Sequence, residues 1–229
     1  MTPRTSTTVE ARRPGGAGGW RAGLALAALL FALAAPAAGR ELLDCVIAVV
    51  SGTVITLSDA RTALQFGLVD AGGEKDPVAV AMQWLVDRQL VLDEVNRTEV
   101  SDGSAGDVDA AFAQVRKRLA AGRGEAAALA ALGLDQEGAR RFVRDTVRVR
   151  QYLERRFAVV MPGTDAELRA YYAANAGVFS GGGLQLSFDE ARPAVERAYQ
   201  DVQRARAVAS WLDRLRRRTE VNELYVPAR

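Results

Sequence analysis

Two short runs of β-branched residues, Cys45–Val50 and Thr53–Thr56, flank the pair Ser51-Gly52 and predict a β-hairpin. From 57 to 218, apolar residues recur at helical spacing between breaks marked by glycine and proline, which predicts a series of helices. The tail 220–226 has strand character, and we expect it to pair with the hairpin. The pattern therefore predicts a mainly α fold with a small antiparallel β element.

Polar capping residues mark the starts of several predicted helices. Ser58 is the expected N-cap of a first helix that ends at Phe66, and Asp76-Pro77 opens a long second helix. Further helices are expected at about 107–120, 125–132 and 136–157, the last of them capped by Asp135. Two capping boxes, Thr164–Glu167 and Ser187–Glu190, begin the remaining helices, the second of which should run to about Arg218.

Large aromatic residues lie on the apolar faces of these helices. Trp84, for example, shares a helical stripe with Ala81, Leu85 and Leu92. At such spacing an aromatic side chain belongs to the core more often than to a binding surface. We interpret five residues in this way: Trp84, Tyr171, Tyr172, Tyr199 and Trp211. The sequence thus identifies no residue that would contact a binding partner.

The amino-terminal region has the pattern of an export signal. Residues 1–37 hold four arginines and one glutamate, and the uncharged run Ala22–Ala35 is shorter than the roughly 20 apolar residues of a membrane span. Ala35-Pro36-Ala37 fits the small-residue cleavage pattern. We predict a signal peptide over residues 1–38, cleaved near Ala37 to Gly39, and export of the remainder. An uncleaved membrane anchor is the alternative.

Cys45 is the only cysteine of the chain. Lipidation at this position is disfavoured, because Asp44 precedes it where a lipoprotein signal needs a small residue. The apolar run that follows predicts that Cys45 is instead a sheltered, small hydrophobic residue of the first strand.

The composition excludes several kinds of chemistry. Histidine is absent, which removes the usual general base and the usual metal ligand. A single cysteine allows neither a cysteine-based zinc site nor an internal disulfide. Neither of the two lysines, Lys75 and Lys117, stands in an apolar setting, although a carboxylate-only or Ser-Lys enzyme stays open in principle. We expect no catalytic, cofactor-binding or metal-binding residues and no cofactor.

The charge distribution gives no reason to expect a nucleic-acid partner. The formal net charge is +2, but the first 37 residues carry +3, which leaves about −1 for the remainder. Ten arginines between Arg140 and Arg197 alternate with acidic residues, which predicts a solvated, salt-bridged surface. No nucleotide-binding loop is present in the sequence either.

Four segments resemble, in the same order, the SurA-type periplasmic chaperones. The hairpin Cys45–Ser58 is similar to the start of the mature proteins of that family, and Leu85–Glu94 is similar to a helix with the pattern LIDRxLLLQEA. The third segment runs from Gly133 to Phe157, and Asp165–Phe179 matches the EVRAYYEAN helix. The resemblance implies a SurA- and trigger-factor-like helical chaperone domain over residues 39–179.

That family inserts one or two parvulin-type prolyl-isomerase domains before a returning helix. Here only the short link 180–187 separates Phe179 from Phe188–Val195, which is similar to the returning helix. We therefore expect 188–229 to pack as a carboxy-terminal helix and strand on the same domain. The isomerase domain is missing, so its activity does not carry over, and we expect no enzyme.

The resemblance implies a periplasmic, chaperone-like protein that binds unfolded or partly folded envelope polypeptides during outer-membrane protein biogenesis. It implies no nucleotide and no nucleic acid as partner, and a homodimer is plausible from the sheet edges. The alternative is a non-catalytic adaptor or structural protein that docks one folded envelope partner. A cryptic isomerase is the third and least favoured interpretation.

Overall fold

The computed structural model of the protein describes residues 44–98, 104–122, 124–159, 161–181 and 184–226. The predicted signal peptide at 1–38 lies outside these residues, so the signal and its cleavage stay predictions. Within the described ranges, no helix is both long enough and apolar enough to cross a membrane.

The described chain is mainly helical with a small antiparallel sheet, which confirms the predicted fold class. In chain order the strands are β1 (Val46–Val50), β2 (Thr53–Thr56), β3 (Ser180–Gly181), β4 (Leu184–Gln185) and β5 (Val221–Glu223). The α-helices are α1 (Leu57–Phe66), α2 (Pro77–Arg97), α3 (Ala105–Ala120), α4 (Glu125–Ala131), α5 (Gln136–Arg156), α6 (Asp165–Ala174) and α7 (Phe188–Arg218). A 3₁₀ turn, Ala176–Val178, follows α6.

The main sheet joins the two ends of the described chain. Ser51 and Gly52 both have positive φ, at 48° and 82°, as a tight two-residue turn between antiparallel strands requires. β5 then pairs with the other side of β1, which gives the strand order β2-β1-β5. The predicted hairpin and its closure by the carboxy-terminal strand are both confirmed.

Capping residues set most helix starts as the sequence predicts, with two corrections. The capping boxes at Thr164 and Ser187 are present, and Asp76 accepts a hydrogen bond from the Ala79 N–H. The N-cap of α1 is Thr56 and not Ser58, because the Thr56 hydroxyl accepts from the Asp59 N–H while the Asp59 carboxylate accepts from the Thr56 N–H. α3 begins at Ala105, two residues before the expected start, because Ser104 caps it.

The buried apolar residues form three clusters. The sheet cluster joins β1 and β2 to α2 and to the ends of α5 and α7, and the second cluster joins α1, α3, α4 and α5. The third cluster joins α6 to the first half of α7. With 31 residues, α7 is about 46 Å long and contributes to both the sheet cluster and the third cluster.

One further expectation needs correction. Cys45 is exposed and lies before β1, which begins at Val46, so it is not a sheltered residue of the first strand. Within the link 180–187, β3 pairs with β4, and the Leu186 N–H donates to the Phe179 carbonyl at 3.1 Å. The short link therefore packs as a small hairpin in front of α7.

Candidate polypeptide-binding groove

A groove of about 310 Å³ lies between β2, α2 and the first half of α5. We call it the edge-strand groove. Its wall on one side is the strand segment Thr53–Ile55, and the opposite side is formed by α5. Its lining residues are Thr53, Val54, Ile55, Asp59, Leu85, Arg88, Gln89, Leu134, Gly138, Arg141, Phe142 and Asp145.

β2 is an open edge of the sheet, and the register shows which backbone groups face outwards. Val50 and Thr53 flank the two-residue turn, so they form a hydrogen-bonded pair, and the next pair, Val49 and Val54, is not hydrogen-bonded. The hydrogen bonds on the other side agree, since Ser51 N–H donates to the Glu220 carbonyl and Leu224 N–H donates to the Ile47 carbonyl. The backbone N–H and C=O of Val54 therefore point away from β1, toward solvent.

The open edge of β2 is short, because the backbone N–H at its carboxy-terminal end already has a hydrogen-bond partner. The Thr56 N–H donates to Asp59 Oδ2 at 2.9 Å within the capping box of α1. Val54 has a 51% exposed side chain and lies between this cap and the turn. The edge thus offers one outward donor and one outward acceptor, which match the backbone of a short extended segment.

Arg88 of α2 forms the polar floor of the groove and fixes its width. Its Nη2 donates to the Phe142 carbonyl at 3.0 Å, and its Nε donates to the Thr146 hydroxyl at 3.1 Å. The guanidinium also lies over the Phe142 ring, 4.6 Å from its centroid, and its side chain is only 10% exposed. Because Arg88 contacts α5 at three points, it fixes the spacing between α2 and α5 along the floor of the groove.

Burial lowers the pKa of the Arg88 guanidinium, and the carboxylates of Asp145 and Asp59 oppose that shift. The Asp145 carboxylate lies 3.6 Å from Arg88 Nη2. Arginine keeps its charge under such conditions, so the floor carries a compensated positive charge. With Arg141 also paired to Glu137 at 2.7 Å, the groove has no large excess of either sign.

The remaining walls are apolar. Leu85 and Ile55 are buried beneath the groove, and Leu134 and Phe142 line its α5 side. An extended chain paired with Val54 would place every second side chain on the same face. The groove therefore combines backbone pairing along one side with apolar contact along the other.

The aromatic residues that the sequence analysis assigned to the core do not line this groove. Trp211 is buried in the sheet cluster, with ring centroids 6.0 Å from Tyr152 and 5.8 Å from Phe157. Trp84 is half-buried against the same cluster. Tyr171, Tyr172 and Tyr199 pack around the third cluster. The sequence analysis missed Val54 and Arg88, because only the strand order identifies β2 as an edge.

The arginine-rich helix faces are salt-bridged, as predicted. Arg141 pairs with Glu137, Arg169 with Asp165 at 2.8 Å, and Arg192 with Glu196 at 3.1 Å. Among the residues that the structure describes, no group of three or more histidine, cysteine, aspartate or glutamate side chains is placed to hold a metal ion.

The sequence matches no protein-family model and no curated protein. Among solved structures, one match comes from work on the virulence factor PEB4 and the periplasmic protein Cj1289 of Campylobacter jejuni, described as two structurally related SurA-like chaperones. It is 12% identical, covers 80% of this chain and 100% of its own, and has a TM-score of 0.47. This likeness is distant, so the function of this chain has to follow from its own residues and contacts.

Proposed function

We propose that this protein is an exported, chaperone-like polypeptide-binding protein of the SurA type that holds unfolded or partly folded segments of envelope proteins. The observation that carries the proposal is the open backbone edge at Val54 beside the apolar wall of the edge-strand groove. The ordered sequence segments that resemble SurA-type chaperones support the family. The signal-like residues at the amino terminus support a periplasmic location.

The edge-strand groove selects for unfolded chains on physical grounds. An unfolded segment offers free backbone N–H and C=O groups together with apolar side chains at alternate positions, whereas a folded protein has satisfied and buried most of both. Pairing with Val54 contributes about 1 kcal/mol per backbone hydrogen bond, and an apolar side chain that buries about 100 Å² adds roughly 2.5 kcal/mol. A single segment therefore binds weakly, and a long client gains affinity through repeated segments.

No step in this function calls for a nucleotide, a metal or a covalent intermediate. Binding and release are driven by the exposure and burial of client surface. The proposal does not include prolyl isomerisation. The sequence has no histidine, and only residues 180–187 stand where the related chaperones carry an isomerase domain.

An aggregation assay tests the proposal directly. An outer-membrane β-barrel protein is diluted from urea into buffer with the chain in increasing molar excess, and light scattering is followed over time. We expect scattering to fall as the excess rises. If scattering is unchanged at every ratio, the chaperone function is wrong.

A pull-down from a periplasmic extract separates this function from the adaptor alternative. A chaperone should retain a spread of unfolded β-barrel proteins that a folded competitor does not displace. Recovery of one folded partner in fixed stoichiometry, with no β-barrel proteins, would instead establish the adaptor role.

A further inference from the structure

A second groove, of about 550 Å³, lies on the other side of the second cluster, between the end of α1, α3 and α5. We call it the basic groove. Its floor is apolar and includes Phe66 and Val115, each only 3% exposed, with Leu68 and Ala111 beside them. We propose that the basic groove binds an acidic peptide segment in which apolar side chains are flanked by carboxylates.

The rim of the basic groove is formed by three exposed cations, Lys117, Arg118 and Arg150. Among the described residues that line this groove, none is acidic. Lys117 and Arg118 form no ion pair within the described part of the chain, and Arg150 approaches Glu154 only at 3.8 Å. These residues thus depart from the interleaved, salt-bridged pattern of the neighbouring arginines.

Arg118 is placed at the mouth of the groove by the chain reversal after α1. Gly67 ends that helix in the left-handed conformation, with a φ of 67°. A Cβ at Gly67 would overlap the Arg118 guanidinium, which therefore lies directly over this glycine. The carboxy-terminal end of α1 also carries partial negative charge, which favours a cation there.

The positive rim and the apolar floor of the basic groove together favour an acidic peptide segment as its ligand. Three cations around an apolar floor attract carboxylates, while the floor at Phe66 and Val115 offers an apolar surface to an apolar side chain. A peptide segment supplies both features on one backbone. An anionic membrane surface supplies the charge, but its headgroups would meet the rim without filling the floor.

The basic groove is separate from the edge-strand groove, although the two share a wall. Phe66 of the basic groove packs edge-on against Phe142 of the edge-strand groove, with ring centroids 6.0 Å apart. The acidic-segment proposal does not depend on the chaperone function, because its residues and its charge are different.

The test is a fluorescence polarisation titration of the full chain with labelled synthetic peptides. The first peptide alternates leucine with glutamate, the second replaces each glutamate by lysine, and the third replaces each leucine by serine. We expect binding of the first peptide only. We also expect this binding to weaken several-fold between about 50 mM and 300 mM salt, because the rim charges are exposed.

Charge reversal at the rim locates the site. Lys117→Glu with Arg118→Glu should weaken binding of the acidic peptide by about tenfold or more, since two attractions become repulsions. Arg118→Lys keeps the charge and should retain most of the affinity. Arg206→Glu, an exposed arginine of α7, is the matched control and should leave the affinity unchanged. Thermal unfolding of each variant confirms that it is folded.

Three outcomes would overturn the proposal. These are equal binding of the acidic and basic peptides, an affinity that the double rim variant does not change, and binding to phosphatidylglycerol vesicles without binding to the acidic peptide. The last outcome would assign the rim to a lipid surface. None of these outcomes bears on the aggregation assay, so failure of the basic groove and failure of the chaperone function are distinguishable.

Discussion

The guanidinium of Arg216 in α7 lies 2.8 Å from the Asp87 carboxylate in α2. Arg216 Nη2 also donates to Gln83 Oε1 at 3.1 Å, one helical turn away from Asp87. Two residues further along α7, Arg218 pairs with Glu94. These contacts fasten the end of the last helix to the second helix, next to the buried Leu215. The ion pair between α2 and α7 thus holds the long helix in the position from which β5 reaches β1.

Arg216→Met tests this role in stability. The variant leaves the Asp87 carboxylate half-buried without its cation, and we expect the free energy of unfolding to fall by about 1–2 kcal/mol. Urea denaturation followed by circular dichroism measures the loss. Arg217→Met is the matched control, because Arg217 is an exposed neighbour in the same helical turn and its loss should cost almost nothing. Equal costs for the two variants would contradict the proposed role.

The same ion pair predicts a pH dependence. The pKa of Asp87 is raised, mainly because the carboxyl is partly buried. The positive charge of Arg216 opposes this shift, whereas the negative charges of Asp213 and Glu223 add to it. A raised pKa means that the carboxyl proton of Asp87 is held more tightly in the native state than in the unfolded chain. The free energy of unfolding therefore falls as the pH rises through the folded pKa of Asp87 and the group ionises. Without Arg216 the pKa of Asp87 rises further.

We therefore expect the stability difference between the wild type and Arg216→Met to be largest near neutral pH. It should shrink as the pH falls and Asp87 takes up its proton, because the protonated carboxyl no longer needs the cation. Asp87→Asn, introduced in both backgrounds, should abolish this trend. A difference that stays constant across the pH range, or grows on acidification, would show that Asp87 is not the group responsible.

Val54→Pro tests the edge-strand groove. Proline removes the outward N–H of Val54 while leaving the hydrogen bonds between β1 and β2 intact, because that N–H does not pair with β1. Losing one hydrogen bond of about 1 kcal/mol should weaken binding of a labelled unfolded β-barrel segment about fivefold.

The opposite edge of the sheet provides the control for Val54→Pro. Glu223 of β5 lies opposite Ala48 in a pair that is not hydrogen-bonded, because the neighbouring residue Leu224 donates its N–H to the Ile47 carbonyl. The N–H of Glu223 therefore also points away from β1. Glu223→Pro should leave client binding unchanged. If both proline variants weaken binding equally, the effect comes from the sheet as a whole and not from the groove.

Arg88→Met should destabilise the protein more than any surface arginine variant. It removes two hydrogen bonds and the contact with the Phe142 ring from a nearly buried site, which predicts a loss of about 2–4 kcal/mol in unfolding free energy. Arg97→Met removes a 65% exposed arginine paired to Glu94 and should cost less than about 1 kcal/mol. Similar losses in urea denaturation would contradict the role of Arg88 in joining α2 to α5.

Gly67→Ala and Gly133→Ala form a matched pair. Both glycines have φ near 70°, so each alanine should cost about 1 kcal/mol of unfolding free energy. Only at Gly67 does the new Cβ meet the Arg118 guanidinium, whereas no atom lies within 4 Å of a Cβ at Gly133. We expect Gly67→Ala alone to weaken binding of the acidic peptide, because Arg118 must move. Equal peptide affinities for the two variants would contradict the placement of Arg118.

Local signals in the sequence predict much of the fold because they act over a few residues. The Thr164 and Ser187 boxes, Asp76-Pro77 and the Ser51-Gly52 turn each specify a backbone conformation through their own hydrogen bonds or φ angles. Thr56 and Ser58 both carry hydroxyls suitable for capping α1, so the choice between them depends on which one reaches Asp59. Cys45 was misjudged because the apolar run does not show that the strand begins only at Val46.

The candidate sites depend on contacts between residues far apart in the chain, which the sequence does not show. Val54 is an edge residue only because β5 pairs with β1 and not with β2. At the rim of the basic groove, Lys117 and Arg118 form no ion pair with any described residue, and Asp107 of the same helix accepts a hydrogen bond from Gln151 at 2.6 Å. The interleaving of charges between Arg140 and Arg197 predicted salt-bridged arginines in that segment, and it made no prediction for Lys117 or Arg118.

The strand order also has a consequence for the sequence of events in folding. Ala48, near the start of the described chain, pairs with Glu223 near its end, so the sheet lacks its third strand until residues 221–223 are available. Contacts between such distant residues form late and slowly, because a long loop has to close before they contribute. The chain therefore stays incompletely folded during synthesis and during any passage through a narrow channel. Its native state is reached only when the last strand arrives.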